Sequence, residues 1–132
     1  MLDRTLAILG DLIRFPTIST DSNLQMIDYL SKHLAGLGAR TLVTADASGT
    51  KANLFATLGP DEPGGIVLSG HTDVVPVADQ DWTTDPFEMV ERDGLFFGRG
   101  SCDLVNDRQR RGGIDRSNAL RTPAVGTLLA AF

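Results

Sequence analysis

The sequence has little of what secreted, membrane-spanning or nucleic-acid-binding proteins need. Its 132 residues include one cysteine, so no disulfide can form within the chain and nothing indicates an oxidising compartment. Twelve Lys and Arg against seventeen Asp and Glu give a net charge of −5, which argues against general binding of nucleic acids or anionic membranes. No run approaches the roughly 18 apolar residues of a membrane span, and no segment has the pattern of a signal peptide. We therefore expect a cytoplasmic location.

The composition allows a packed core, but the charge is unevenly distributed. Apolar residues make up 42% of the sequence, which is typical of a globular chain, and the length corresponds to one domain or part of one. Residues 1–104 carry seven basic and fifteen acidic residues, a net charge of −8, whereas 105–132 carry five arginines and two aspartates, a net charge of +3. The sign of the charge therefore reverses close to Leu104.

The hydrophobic pattern predicts two helices followed by several strands. Leucine and isoleucine recur at helical spacing over residues 2–15, and Pro16 ends that helix. A capping box at 22–25 predicts the start of a second helix, with Gly38 just after its end. The strand-like runs are 39–44, 53–58, 65–69, 87–91 and 95–97, the last two joined by the hairpin signal Asp93-Gly94. This order predicts an α/β fold in which helices pack on a mixed sheet.

Polar residues with metal-binding chemistry follow one of these strands. The apolar run 66–68 predicts a central strand covered on both faces. His71 and Asp73 come directly after it, and their spacing places both side chains on the same side of an extended segment. A carboxylate in that position can hold one ring nitrogen of a metal-bound imidazole. The alternative is a structural histidine near a strand.

A second polar cluster follows the strand at 95–97. Its glycines, Gly98 and Gly100, allow a tight turn, and Asp103 could supply a carboxylate at the end of the sheet. The alternative is an ordinary glycine-rich turn with a solvated aspartate. Cys102 has no histidine or helix start in its motif that could activate it, so we interpret it as a buried small residue and not as a nucleophile.

Together, the two clusters resemble the zinc-dependent aminoacylase and carboxypeptidase superfamily and, within it, most closely the acetylornithine deacetylases. The resemblance covers roughly residues 1–104. The segments that carry it are 15–19, 22–24, 37–39, 51–54, 71–76, 81–82, 85–87, 93–94 and 98–103. The resemblance implies the N-terminal portion of a zinc-peptidase-like catalytic domain.

The resemblance also implies roles for three residues. His71 is similar to the histidine ligand of one metal ion, Asp103 to the carboxylate that bridges two ions, and Asp73 to the catalytic residue that holds the histidine. In the superfamily, two zinc or cobalt ions polarise an amide carbonyl and activate water. The implied reaction converts N2-acetyl-L-ornithine to L-ornithine and acetate in arginine biosynthesis. Desuccinylases and dipeptidases share both motifs and stay open, and no substrate-binding residue is assigned.

The pattern of the superfamily stops one residue after Asp103. The family's later Glu-Glu pair and C-terminal histidine ligand have no counterpart, because the last glutamate is Glu91 and no histidine follows His71. Its dimerisation domain has none either. We therefore predict a partial catalytic domain at 1–104 and a basic tail at 105–132 that a frameshift could produce, a divergent functional tail being the alternative.

Without a general base, the chain could be an inactive truncated fragment or an interaction module. An incomplete sheet would expose apolar surface and aggregate readily.

Overall fold

The computed structural model of this chain describes residues 2–61 and 65–101, together with the backbone of 114–115 and 127–131. The helices are α1 (Leu2–Ile13) and α2 (Leu24–Gly36); the strands are β1 (Arg40–Ala45), β2 (Ala52–Thr57), β3 (Val67–His71), β4 (Val90–Arg92), β5 (Leu95–Phe97), β6 (Ile114–Asp115) and β7 (Thr127–Ala131). They fall into two units. Unit 1 comprises Met1–Pro16 and Val74–Pro123, and unit 2 comprises Thr17–Asp73 and Ala124–Phe132.

Unit 2 is built on a four-stranded mixed sheet with the order β1-β2-β7-β3. Strands β1 and β2 are antiparallel, with Leu42 opposite Phe55. Strand β7 runs antiparallel to β2 and parallel to β3, so both pairing types occur in one sheet. This arrangement confirms the predicted α/β class with a mixed sheet.

Helix α2 covers one face of β2 and forms the core of unit 2. Alternate residues of β2 are buried, and Leu54 is completely inaccessible to solvent. Ile27 on α2 packs in the same cluster, with Leu30 and Leu34 partly buried against it. The apolar face of α2, whose residues recur at helical spacing, therefore packs on the face of β2 that carries every second residue, as expected when a helix packs on a sheet.

The ends of α2 agree with the sequence in part. Gly38 adopts a positive φ of 88° and its N–H donates to the carbonyl of Ala35 at 2.9 Å, which confirms it as the glycine that follows the helix. At the other end the N-cap is Asn23, whose side chain makes no capping hydrogen bond. Ser22 Oγ accepts the N–H of Leu24 at 3.3 Å, not that of Gln25, so the predicted capping box is wrong. Asn23 is instead directed into the interior.

The prediction of a central, doubly covered strand at 66–68 is wrong. Ile66, Val67 and Leu68 are 59%, 61% and 43% exposed, and β3 stands at the end of the strand order. The physical reason is the position of α2, which packs against β1 and β2. Among the described residues of unit 2, no helix covers β3. The apolar run has the composition of a buried strand, but burial also requires a covering layer.

Unit 1 contains α1 and a second sheet with the order β4-β5-β6. The β4–β5 hairpin turns through Asp93 and Gly94, with φ values of 55° and 75°, which confirms the predicted turn. Helix α1 ends at Ile13, two residues before the predicted end, and Phe15 N–H closes a turn onto the carbonyl of Leu12 at 3.2 Å.

Two short backbone segments within 105–132 are described. Strand β6 pairs with β5, and β7 lies between β2 and β3. The proposed boundary at residue 104 stays a prediction. No helix among the described residues is long and apolar enough to cross a membrane.

Candidate functional site

The structure brings His71 and Asp73 together at the carboxyl end of β3. His71 is the last residue of the strand, and its Nδ1 lies 2.9 Å from the backbone carbonyl oxygen of Asp73 and 3.1 Å from Oδ1 of the same residue. The two side chains are 37% and 31% exposed, so solutes can reach them. Carboxyl ends of strands are common places for ligands in α/β sheets. The pair therefore has the position and spacing that the sequence predicts.

The contacts of Nδ1 define which nitrogen of His71 could bind a metal. Both acceptors around Nδ1, a carbonyl and a carboxylate, require a donor. We therefore assign the proton of the neutral imidazole to Nδ1. A metal would then bind Nε2, with Asp73 fixing the orientation of the ring and raising its basicity.

Asp73 is held on its other side by Ser19. Ser19 Oγ donates to Asp73 Oδ2 at 2.5 Å. This hydrogen bond is the largest cause that lowers the pKa of Asp73; partial burial opposes it, and His71 adds a further lowering. The carboxylate is therefore ionised at neutral pH and acts as an acceptor for both neighbours. Sequence reasoning did not select Ser19, although it lies within the segment 15–19 that carries part of the resemblance.

The backbone between His71 and Asp73 is fixed by two buried side chains. Thr17 Oγ1 donates to the carbonyl oxygen of Thr72 at 2.5 Å, and Asn23 Nδ2 donates to Thr72 Oγ1 at 3.1 Å. Asn23 also exchanges two hydrogen bonds with the backbone of Ala52, at 2.9 and 3.0 Å. One buried amide thus ties the start of α2, the start of β2 and the segment after β3. Thr17 and Asn23 were not selected as site residues from the sequence either.

The second predicted cluster lies in unit 1, where residues 98–101 form a tight turn. Ser101 N–H donates to the carbonyl of Gly98 at 3.2 Å, and Gly100 has a φ of 82°. A Cβ on Gly98 would lie 2.9 Å from Cγ2 of Ile13, so this position excludes a side chain. The two glycines therefore allow the tight turn that the sequence predicts.

Arg99 anchors this turn to the loop before it. Its guanidinium lies 4.8 Å from the centre of the Trp82 ring and donates to Gln80 Oε1, while its backbone N–H donates to the carbonyl of Pro86 at 2.6 Å. Asp103, the predicted bridging ligand, and Cys102 lie outside the described residues. Their roles stay predictions.

The described residues include one predicted metal ligand, His71, and the carboxylate that contacts it. An imidazole whose far nitrogen is held by a carboxylate has the donor chemistry of a zinc or cobalt site. No group of three or more His, Cys, Asp or Glu side chains that could hold a metal occurs within residues 2–61 and 65–101. His71 and Asp73 thus fit part of a site whose other predicted ligand, Asp103, lies beyond residue 101.

The comparisons of this chain with known proteins agree with one another. Residues 67–105 match the model of the peptidase family M20/M25/M40. The chain is 41% identical to an acetylornithine deacetylase of Pasteurella multocida, over 75% of this chain and 28% of the relative. It is 42% identical to a succinyl-diaminopimelate desuccinylase of Gluconacetobacter diazotrophicus, over 75% of this chain and 26% of the relative. The chain therefore spans about a quarter of the length of these curated relatives.

Solved structures agree with the sequence matches. Human carnosine dipeptidase 1 superposes with a TM-score of 0.65 at 27% identity, covering 78% of this chain and 25% of that protein. The M20 family metallo-carboxypeptidase Sso-CP2 of Sulfolobus solfataricus superposes with a TM-score of 0.63 at 21% identity and supports the fold, covering 74% of this chain and 23% of that protein. These matches show that the chain is similar to part of a domain of the peptidase family M20/M25/M40, over residues 67–105 for the family model itself.

Proposed function

We propose that this chain provides part of the catalytic site of a metal-dependent amidohydrolase acting on small N-acyl amino acids. The observation that carries the proposal is the His71–Asp73 pair at the carboxyl end of β3, within the residues that match the family model. The pair offers an accessible imidazole with a fixed tautomer, which is the form of histidine that binds a metal.

The proposed roles follow from the chemistry of each side chain. His71 would hold one metal ion through Nε2, Asp73 would orient the imidazole, and Asp103 would bridge two ions. When bound, zinc or cobalt would polarise the scissile carbonyl and lower the pKa of water. Asp73 is suited to its role because its carboxylate stays ionised while contacting both Ser19 and the imidazole.

For the substrate we propose N2-acetyl-L-ornithine, which would give L-ornithine and acetate in arginine biosynthesis. The name and 41% identity of the Pasteurella multocida relative support this choice. The 42% identity to a succinyl-diaminopimelate desuccinylase supports the alternative of a succinylated substrate. A cytoplasmic location and a partial catalytic domain ending at residue 104 belong to the same proposal.

The test is an assay of the purified chain with added Zn²⁺ or Co²⁺ and each of the two substrates. Release of free amine is followed by mass spectrometry, and metal binding by titration calorimetry. The matched control for His71→Ala is His33→Ala, which removes the chain's other histidine, located on α2. We expect His71→Ala to abolish metal binding and any turnover, and His33→Ala to leave both unchanged. Equal metal binding by the two variants would contradict the proposal.

A second candidate is a chain that binds metal but does not hydrolyse substrate alone. The observation that favours it is the share of the relatives that the chain covers, which is only 28% and 26% of the lengths of the two curated relatives. Loss of a general base typically costs about 10²–10⁴-fold in rate. Zinc binding that depends on His71, without turnover of either substrate, would support this candidate over the enzyme.

A further inference from the structure

Ser19 stands in a chain of polar contacts that ends at His71. Lys51 Nζ donates to the carbonyl oxygen of Ser19 at 2.8 Å, and Ser19 Oγ donates to Asp73 Oδ2. The other carboxylate oxygen, Oδ1, faces His71 Nδ1 at 3.1 Å. Ser19 and His71 thus contact opposite oxygens of one carboxylate.

This geometry limits how the carboxylate can turn. A carboxylate that accepts from a single donor can rotate about its Cβ–Cγ bond, whereas donors on both oxygens fix the plane of the group. The residue before Asp73 is also held, because Thr17 Oγ1 donates to the carbonyl of Thr72 and Asn23 Nδ2 donates to the Thr72 hydroxyl. Ser19 is therefore the contact that sets the rotation of the Asp73 carboxylate.

We propose that Ser19 is a positioning residue that fixes the orientation and tautomer of His71 through Asp73. The inference rests on the proposed function in one respect, which is that metal binding depends on the orientation of His71. The hydrogen bonds described above join Ser19 to His71 through the Asp73 carboxylate, as is typical of residues that support a metal ligand indirectly.

The first readout needs no metal and no substrate. The imidazole ¹⁵N shifts of His71 in the metal-free full chain distinguish the Nδ1–H from the Nε2–H tautomer at pH 8, where an ordinary imidazole is neutral. We expect the Nδ1–H form in the unmodified chain and a mixture of both forms in Ser19→Ala. The change should be partial, because the carbonyl of Asp73 still accepts from Nδ1 at 2.9 Å. Ser19→Thr retains a hydroxyl and should restore the Nδ1–H form. Ser19→Val has the shape of threonine but no hydroxyl, and it should not restore this form.

The second readout is the zinc affinity of the same variants, measured by titration calorimetry. We expect Ser19→Ala and Ser19→Val to weaken zinc binding about tenfold or more, and Ser19→Thr to stay close to the unmodified chain. Ser22→Ala is the matched control, because Ser22 lies nearby and its hydroxyl accepts only the local Leu24 N–H among the contacts described.

The outcomes separate the two proposals. A tautomer change in Ser19→Ala, in a chain that binds no zinc, supports the positioning role and contradicts the proposed function. Zinc binding with unchanged tautomer and affinity in Ser19→Ala contradicts the positioning role and leaves the proposed function standing. Unfolding of both Ser19→Ala and Ser19→Val, judged by circular dichroism while Ser22→Ala stays folded, would also overturn the positioning role in favour of a purely structural one.

Discussion

Strands β2 and β3 belong to the same sheet and both carry apolar side chains, yet the burial of these side chains differs. In β2, Ala52, Leu54 and Ala56 are buried under α2. In β3, Val67 and Leu68 are exposed, and no helix among the described residues of unit 2 lies over them. The comparison teaches that the sequence of a strand determines its tendency to extend, whereas the neighbouring layer determines its burial.

The same two strands divide stability and chemistry between them. The core cluster of unit 2 is centred on β2, where Leu54 packs with Ile27. The candidate metal ligand His71 ends β3 at an accessible position. This division is common in proteins, because reactive groups must contact solutes while the packed scaffold holds them in place.

The largest effect should come from a cavity under the covered strand. Leu54→Ala removes a side chain with no solvent exposure, so we expect a loss of about 2–5 kcal/mol in the free energy of unfolding. Val67→Ala, on the uncovered strand, should change it by less than about 0.5 kcal/mol. Urea denaturation followed by circular dichroism measures both variants. Equal losses at the two positions would show that β3 is covered in solution and would break the comparison.

A smaller effect is expected at the residue that links the two strands. Asn23 is buried and bonds both the backbone of Ala52 and the hydroxyl of Thr72, so Asn23→Ala leaves buried backbone groups without partners. We expect a loss of about 1–3 kcal/mol in the free energy of unfolding. Asn53→Ala is the matched control, because Asn53 Oδ1 is buried without a hydrogen-bond partner in the described part of the chain. A cost for Asn53→Ala as large as that for Asn23→Ala would remove the special role of Asn23.

The smallest effect concerns the loop that leads into the covered strand. Asp46 accepts from Ser48 Oγ at 2.7 Å and from Lys51 N–H at 3.2 Å, and the Ser48 hydroxyl is the main cause that lowers the pKa of Asp46 from its ordinary 3.8. Because the unfolded carboxylate binds protons more readily, this contribution to stability is complete above about pH 4 and is lost as the pH falls through the lowered pKa. The stability advantage of the unmodified chain over Asp46→Asn should therefore shrink between pH 6 and pH 3, measured by urea midpoints. Ser48→Ala should weaken this pH dependence, and a pH-independent difference would contradict the assignment.

Most of the secondary structure of the described residues could be predicted from local signals. Helix α2, the glycine that follows it (Gly38) and the Asp93-Gly94 turn can be predicted from apolar spacing and backbone preferences that act over a few residues. The exposure of β3 could not be predicted, because it depends on which elements pack over the strand. The same limit applies to the pairing of β7 between β2 and β3, which joins residues far apart in the sequence.

The candidate site divides in the same way. The spacing of His71 and Asp73 was sufficient to predict that they lie together, because both belong to one extended segment. Ser19, Thr17 and Asn23 reach this segment from more than 45 residues away, and a serine or asparagine near a helix start usually indicates a cap. Only the tertiary structure distinguishes their inward hydrogen bonds from a capping role.

The stacking of Arg99 on Trp82 has a practical consequence for following unit 1 in solution. Trp82 is the only tryptophan in the chain, so its fluorescence arises from one known position. The ring lies 4.8 Å from the guanidinium of a residue in the turn at 98–101, four residues before Asp103. Tryptophan emission therefore provides an intrinsic optical probe of this turn, with no label to attach. Tyrosine emission, in contrast, arises only from Tyr29 on α2 and reports on the other unit.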